Sequence, residues 1–144
     1  MSKRWNEVAP LPVRLIYGGG LMYHGYPKIF TADGYANIVH IVEGIPSPFP
    51  HVMAALIGGL EFFGGLALVI GAFVGTFATL FILELLSNIA MQLIRGGAPP
   101  PLNPNQPLPG YENTLLYIVG SITLLIGGAG GYSLTRMFNP RPSD

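Results

Sequence analysis

Four apolar stretches divide the chain, from about Leu11 to Phe30, Val52 to Ala72, Phe73 to Ile94 and Leu115 to Tyr132. Each is near the roughly 20 residues that carry a helix across ~30 Å of hydrocarbon. No stretch alternates apolar and polar positions with a period of two, so membrane-spanning strands are a poor fit. The second and third stretches are almost continuous. Their break falls at Gly71-Ala72-Phe73-Val74-Gly75, where two glycines permit a tight turn. The pattern predicts an all-α protein: a four-transmembrane-helix bundle forming a single membrane domain over residues 1–144.

Two connections carry patterns of their own. Tyr35, Ile38, Val39 and Val42 recur at i, i+3, i+4 and i+7, the apolar face of a short helix from about Thr31 to Glu43. Thr31 or Asp33 is placed to cap it. An amphipathic helix of this kind lies at a membrane interface. Ile45-Pro46-Ser47-Pro48-Phe49-Pro50 then forces an extended path. Between the third and fourth stretches, the segment from Gly96 to Gly110 is rich in proline and has no charge. It suits a polyproline-like external loop. A long, apolar, conformationally restricted loop beside a bundle is suited to lie on a partner subunit, with Leu102 and Leu108 as anchors.

The polar positions inside the apolar stretches are the candidate chemistry. Arg14, Tyr17, Leu21, His24 and Lys28 follow one another at helical spacing and mark one face of the first helix. Gly58, Glu61 and Gly65 share a face of the second. Glu84, Asn88 and Gln92 stand at i, i+4 intervals on the third. Ionisable groups in a membrane span face the bundle interior or a partner, because hydrocarbon solvates them poorly. The economical packing turns all three stripes inward, with the cations of the first helix against the carboxylates of the others. Arg14 with Glu61 is the expected ion pair, and Lys28 is placed to anchor the rim. Arg14, Tyr17, His24, Lys28, Glu61, Glu84, Asn88 and Gln92 are the candidate ligand-binding residues. Glu61, Glu84 and His24 are the candidates for catalysis. Two carboxylates close together in one apolar bundle resist ionising together, which makes one of them a proton carrier.

Composition narrows the class. Half the residues are apolar and only 10% are charged, against roughly 25% in soluble domains. Lys+Arg and Asp+Glu balance at 7 each, which gives no electrostatic case for nucleic acid. With no cysteine, thiolate metal sites, Fe–S clusters and covalently attached haem are excluded. His24, His40 and His51 are too scattered for a convincing haem pair, and no metal site is expected. Ser133 and Thr135 have no His–Asp neighbours to activate them. Met1 to Pro12 lacks an apolar core and a cleavage site, so the first span is expected to act as an uncleaved signal. Lys3, Arg4, Arg136 and Arg141 outnumber Lys28 and Arg95 across the bundle, which places both termini in the cytoplasm. Small-residue pairs at Gly71-xxx-Gly75 and Gly127-xxx-Gly131 are expected to be helix contacts.

The order of three motifs resembles the DoxX family. Arg14-Leu15-Ile16-Tyr17-Gly18 followed by His24-Gly25-Tyr26-Pro27-Lys28 is similar to that family's opening span. Pro46, Gly59-Leu60-Glu61-Phe62-Phe63-Gly64-Gly65-Leu66 and Gly71 resemble its second. Gly128-Ala129-Gly130-Gly131-Tyr132-Ser133-Leu134 resembles its close. Thr135 stands where the family usually has Asp, and the proline-rich loop is longer than is typical. The resemblance implies a four-helix protein of a bacterial or archaeal cell membrane. Some relatives are membrane subunits of thiosulfate:quinone oxidoreductases, and others join assemblies linked to oxidative stress. The resulting expectation is a non-catalytic accessory subunit of a larger membrane redox complex, with lipid and the other subunits as partners. The alternative is a quinone-linked oxidoreductase subunit that holds a quinone head group in its polar interior. A small-molecule transporter is a third reading, weakened by the absence of inverted repeats.

Overall fold

The computed structural model describes residues 7–44, 48–96 and 110–138, and these form helices joined by turns, with no strand. Four long helices carry the fold: α1 (Pro10–Phe30), α3 (Pro50–Ile70), α4 (Val74–Gly96) and α5 (Gly110–Gly127). Two short ones, α2 (Ala32–Glu43) and α6 (Leu134–Phe138), close the ends. The long helices pack in a ring, with α1 against α3 and α5, and α4 against α5 and α3. Tyr17, Leu21, Leu68, Val74, Ala78, Phe81, Leu85 and Leu124 fill its centre. Large apolar side chains also crowd the outside, among them Ile16 at 79% and Ile126 at 83% exposure. A continuous apolar exterior of this kind calls for a covering of lipid or protein.

Among the described residues, one helix, Pro50–Ile70, is long and apolar enough to cross a membrane. Val74–Ala90 and Thr114–Gly127 are shorter apolar helices. Helix α1 has 21 residues, about 31 Å at 1.5 Å per residue, but it carries Arg14 and Lys28.

The amphipathic helix forms as its pattern requires. The Thr31 hydroxyl accepts from Gly34 N at 3.1 Å, capping α2. Ile38, Val39 and Val42 bury their side chains with Ala54 near the start of α3. Tyr35 stacks on His51 in the first turn of α3, with ring centres 6.2 Å apart.

The turn between α3 and α4 also forms where the glycines predict. Gly71 is left-handed at φ 75. Ala72 N donates to Ala67 O at 2.8 Å and Gly71 N to Leu68 O at 3.1 Å, the paired closure of a Schellman cap.

Two boundaries and one contact type differ from expectation. Helix α5 begins at Gly110 and ends at Gly127 rather than reaching Tyr132. Gly128 and Gly130 adopt φ of 69 and 72, which stops the helix and folds the chain back. The expected small-residue contacts at Gly71-xxx-Gly75 and Gly127-xxx-Gly131 form no close helix crossing; Gly127 meets α1 only in ordinary contact with Pro10, at 3.8 Å. Gly71 is a cap, Gly75 has nothing near it, and Gly131 lies against Glu7.

The close helix contact is instead between α1 and α3. A Cβ on Gly18 would sit 2.6 Å from Gly65 O, and one on Gly65 would sit 2.7 Å from Gly18 O. A Cβ on Gly25 would meet Phe62 N at 2.5 Å. Gly18 and Gly25, like Gly58 and Gly65, are seven residues apart, so each pair returns to nearly the same side of its helix. Backbone cannot move aside for a methyl as a flexible side chain can. Gly25→Ala is therefore expected to destabilise by about 1–3 kcal/mol. Gly19→Ala, with nothing within 4 Å, is expected to be neutral or to stabilise by up to ~1 kcal/mol. Thermal unfolding of the two variants in one detergent checks the contrast, and equal effects would refute the packing argument.

Candidate functional site

The polar interior separates into two sites. The first surrounds Arg14, which is 1% exposed. Its Nε donates to Leu68 O at 2.8 Å and its Nη2 to Val69 O at 2.8 Å. Its Nη1 donates to Ala129 O at 2.6 Å and Tyr132 O at 2.8 Å. Leu68 and Val69 lie in the last turn of α3, where carbonyls lack helical partners and the helix dipole is negative. Ala129 and Tyr132 belong to the fold-back after α5. One planar fork thus binds three chain segments.

The glycine-rich close of the chain is shaped around this contact. Gly130 takes its positive φ between the two acceptors. Gly131 N donates to Glu7 O at 2.8 Å. The Ser133 hydroxyl accepts from Arg136 N at 3.3 Å and caps α6. The Thr135 hydroxyl donates to Gly71 O at 2.8 Å. Thr135 therefore ties α6 to the α3–α4 turn by a neutral hydrogen bond. The expected Arg14–Glu61 ion pair is not formed. Arg14 lies near one end of α1 and meets the end of α3, whereas Glu61 lies mid-helix in α3, about a turn or two away.

Glu61 pairs with Lys28. Both carboxylate oxygens lie 2.5 Å from Lys28 Nζ. The Lys28 side chain is 25% exposed and that of Glu61 is 9% exposed. Lys28 thus turns inward as an ion-pair partner. Glu61 sits in a π-helical turn, Leu60–Gly64, inserted in α3. One extra residue per turn redirects the side chains that follow, and such turns recur at functional sites. Gly25 lies directly beneath: its missing Cβ leaves room for Glu61 and Phe62 to approach α1.

Glu84, on α4, completes this second site. It lies within electrostatic reach of both Glu61 and Lys28. Its Oε2 is buried and has no hydrogen-bond partner among the described residues. Beyond it, the Tyr17 and Ser121 hydroxyls share a short hydrogen bond between α1 and α5. Tyr17 also packs edge-on against Phe81 at 6.2 Å and tilts against Tyr117 at 5.2 Å. The arrangement is a cation, two carboxyls and two phenols inside an apolar ring.

Other candidates fall outside it. His24 is exposed and meets Tyr117 and Tyr23 edge-on at 5.9 Å. It lies about 60° from the centre of the buried stripe, at roughly 100° of turn per residue, and Gly25 takes the buried position instead. Asn88 is exposed. Gln92 lies in α4, and its side chain is outside the described residues, as are the loop anchors Leu102 and Leu108. His40 is exposed on α2. Among the described residues, no three His, Cys, Asp or Glu side chains gather as metal ligands. Tyr117 and Ser121 were not marked by the charge pattern. Their i, i+4 spacing on α5 is the signal that would have found them.

The DoxX family model matches residues 9–92, more than half of the 144-residue chain. The chain belongs to the DoxX family. Membership makes it a membrane protein, in keeping with its apolar helices and crowded apolar exterior. The match runs from the start of α1 through most of α4. It therefore includes Arg14, Lys28, Glu61 and Glu84, and stops short of the glycine-rich close. No curated protein and no solved structure matches the chain.

Proposed function

We propose that this DoxX-family protein is a four-span bundle in a bacterial or archaeal cell membrane, with both termini cytoplasmic, acting as an accessory subunit of a larger redox complex. Helices α1, α3, α4 and α5 are the spans, and α2 lies at the opposite interface. The observation behind the accessory reading is how the interior cations are engaged. Arg14 holds three segments together through carbonyls, and Lys28 is committed to Glu61. Both serve cohesion of the bundle. The apolar exterior then provides surface for lipid and neighbouring subunits, with the loop around Leu102 and Leu108 as a further contact.

Co-purification in mild detergent tests this reading. Discrete membrane-protein partners in fixed ratio are expected, and replacing the proline-rich loop by a short Gly-Ser linker should release them while the bundle stays folded. Recovery of the chain with lipid alone would overturn it.

The orientation has its own test. Cysteines placed at Asn37 on α2 and Met137 on α6, both exposed, should differ in intact cells. An impermeant thiol reagent is expected to label the Asn37 position and spare the Met137 position. The reverse pattern refutes cytoplasmic termini.

A second reading is favoured by Glu84. A buried carboxyl oxygen with no partner, beside a Lys–Glu pair, suits the carbonyl or hydroxyl of a quinone head group. In that reading Glu61 or Glu84 relays a proton, and the expected cofactor is a diffusible, non-covalently held quinone. Quinone recovered in proportion to the protein, and lost with Glu84→Gln, would favour this reading over the first.

A further inference from the structure

We infer that two copies of this chain pair in the membrane through the outer side of the seam between α1 and α5, with Tyr23 of each copy hydrogen-bonded to His24 of the other. The pairing rests on α1 being a span, as proposed above, and holds whichever role the bundle has.

The position of two polar side chains along α1 sets the problem. Tyr23 and His24 lie seven and six residues before Phe30, the last residue of the helix. At 1.5 Å per residue they are about 9–10 Å inside the α1–α2 end. Long side chains on a helix lean toward its N-terminus, here away from that end and toward the middle of the span. Both are exposed, Tyr23 at 80%. His24 meets Tyr23 and Tyr117 edge-on, and among the described residues neither Tyr23 nor His24 makes a hydrogen bond. Hydrocarbon offers them no donor or acceptor, so a phenol and an imidazole held against it lose the hydrogen bonds that water would give. Polar groups at this depth face a partner that supplies those bonds. Tyr17, on the inner side of the same helix, already has one in Ser121.

A second copy supplies them by symmetry. A phenol donates its O–H and an imidazole nitrogen accepts. A two-fold pairing sets the same patch of both copies face to face. Tyr23 of one copy then donates to His24 of the other, and the reciprocal bond forms with it. The charge pattern agrees. Residues 15–27 of α1 and 115–127 of α5 include no Asp, Glu, Lys or Arg, so two such faces meet without like-charge repulsion. Ile16 on α1 and Leu116 on α5, at 79% and 67% exposure, border the polar pair with apolar surface.

The chain has no cysteine, so single introduced cysteines report proximity without background. Ile16→Cys and Leu116→Cys probe the seam. Phe63→Cys on α3 and Leu83→Cys on α4, also at exposed positions, probe the rest of the ring. Membranes holding each full-length variant are oxidised with copper phenanthroline and read by non-reducing electrophoresis and mass spectrometry. A disulfide-linked pair of chains is expected from the seam positions, at several times the yield from α3 or α4. Adding Tyr23→Phe or His24→Leu should lower the seam yield roughly threefold or more, the scale of interhelical hydrogen bonds in membranes. The two changes together should lower it no further than either alone, because each removes both bonds. Equal yields at all four positions, disulfides to other proteins only, or a seam yield indifferent to Tyr23→Phe would each overturn the pairing. The span is checked separately with an impermeant thiol reagent on permeabilised membranes. Reaction of Ile16→Cys as ready as that of Met137→Cys would mean that α1 is not in hydrocarbon, and both conclusions fall. Protection of Ile16→Cys without any seam disulfide would refute the pairing and leave the span standing.

Discussion

Arg14→Ala is expected to cause the largest loss of folded protein of any single side-chain truncation in the bundle. The change removes the side-chain donor from the Leu68, Val69, Ala129 and Tyr132 carbonyls, of which Leu68 O keeps Gly71 N, in a site that is almost sealed from solvent. Hydrogen bonds to a charged group contribute about 1.5–3 kcal/mol each and are not additive. A net cost of about 3–5 kcal/mol is the scale for breaking a buried charged contact. Arg14→Lys should recover little, because an ammonium cannot reproduce a planar fork spread over four acceptors. The signature beyond lowered stability is local. The fold-back after α5 and helix α6 lose their anchor, so limited proteolysis should cut near residues 128–138 before the rest of the chain. Uniform proteolysis across the helices would mean that Arg14 does not hold the close of the chain.

Lys28 and Glu61 should be mutually dependent, and Arg14 and Glu61 should not. Lys28→Met leaves Glu61 ionised in an apolar setting or forces it to take a proton, and a loss of about 3 kcal/mol is the expected scale. Glu61→Gln strands Lys28 less severely, since that side chain can reach the surface by its flexible stem. The double variant Lys28→Met/Glu61→Gln should be milder than the sum by about 1–3 kcal/mol, the range for directly coupled pairs. Combining Arg14→Ala with Glu61→Gln should be additive, because the two residues share no partner. Thermal unfolding of the three single and two double variants decides it. Coupling of Arg14 to Glu61, or additivity of Lys28 and Glu61, would contradict the observed pairing.

Both predictions follow from which polar groups meet, and that could be read from the chain only in part. The helices were legible because their causes are local. The i, i+3, i+4, i+7 pattern of Tyr35, Ile38, Val39 and Val42 needs no partner to define a face. Thr31 caps α2 through a residue three positions away. Gly71 turns the chain because its own φ is left-handed. The end of α5 was misplaced because the apolar run continues past Gly127, and only the positive φ at Gly128 and Gly130 reveals that the backbone has left the helix.

The interior stripe was likewise visible in the spacing of Arg14, Tyr17, Leu21 and Lys28. Helical periodicity also admitted His24, which sits at the stripe's edge. Gly25 displaced it, since only a missing Cβ lets Glu61 and Phe62 come so close.

By itself, then, the sequence determined the number and approximate placement of the long helices, the amphipathic character of α2, the family, and the fact that charges must be housed inside. The tertiary structure alone decided who pairs with whom. Ion-pair partners depend on the axial register of α1 against α3, set by the Gly18–Gly65 and Gly25–Glu61 contacts rather than by charge type. Register selected Lys28 for Glu61 and delivered Arg14 to the end of α3. The acceptors of Arg14 could not be marked in the sequence, because every residue carries a carbonyl and only the fold brings particular ones within reach of the guanidinium.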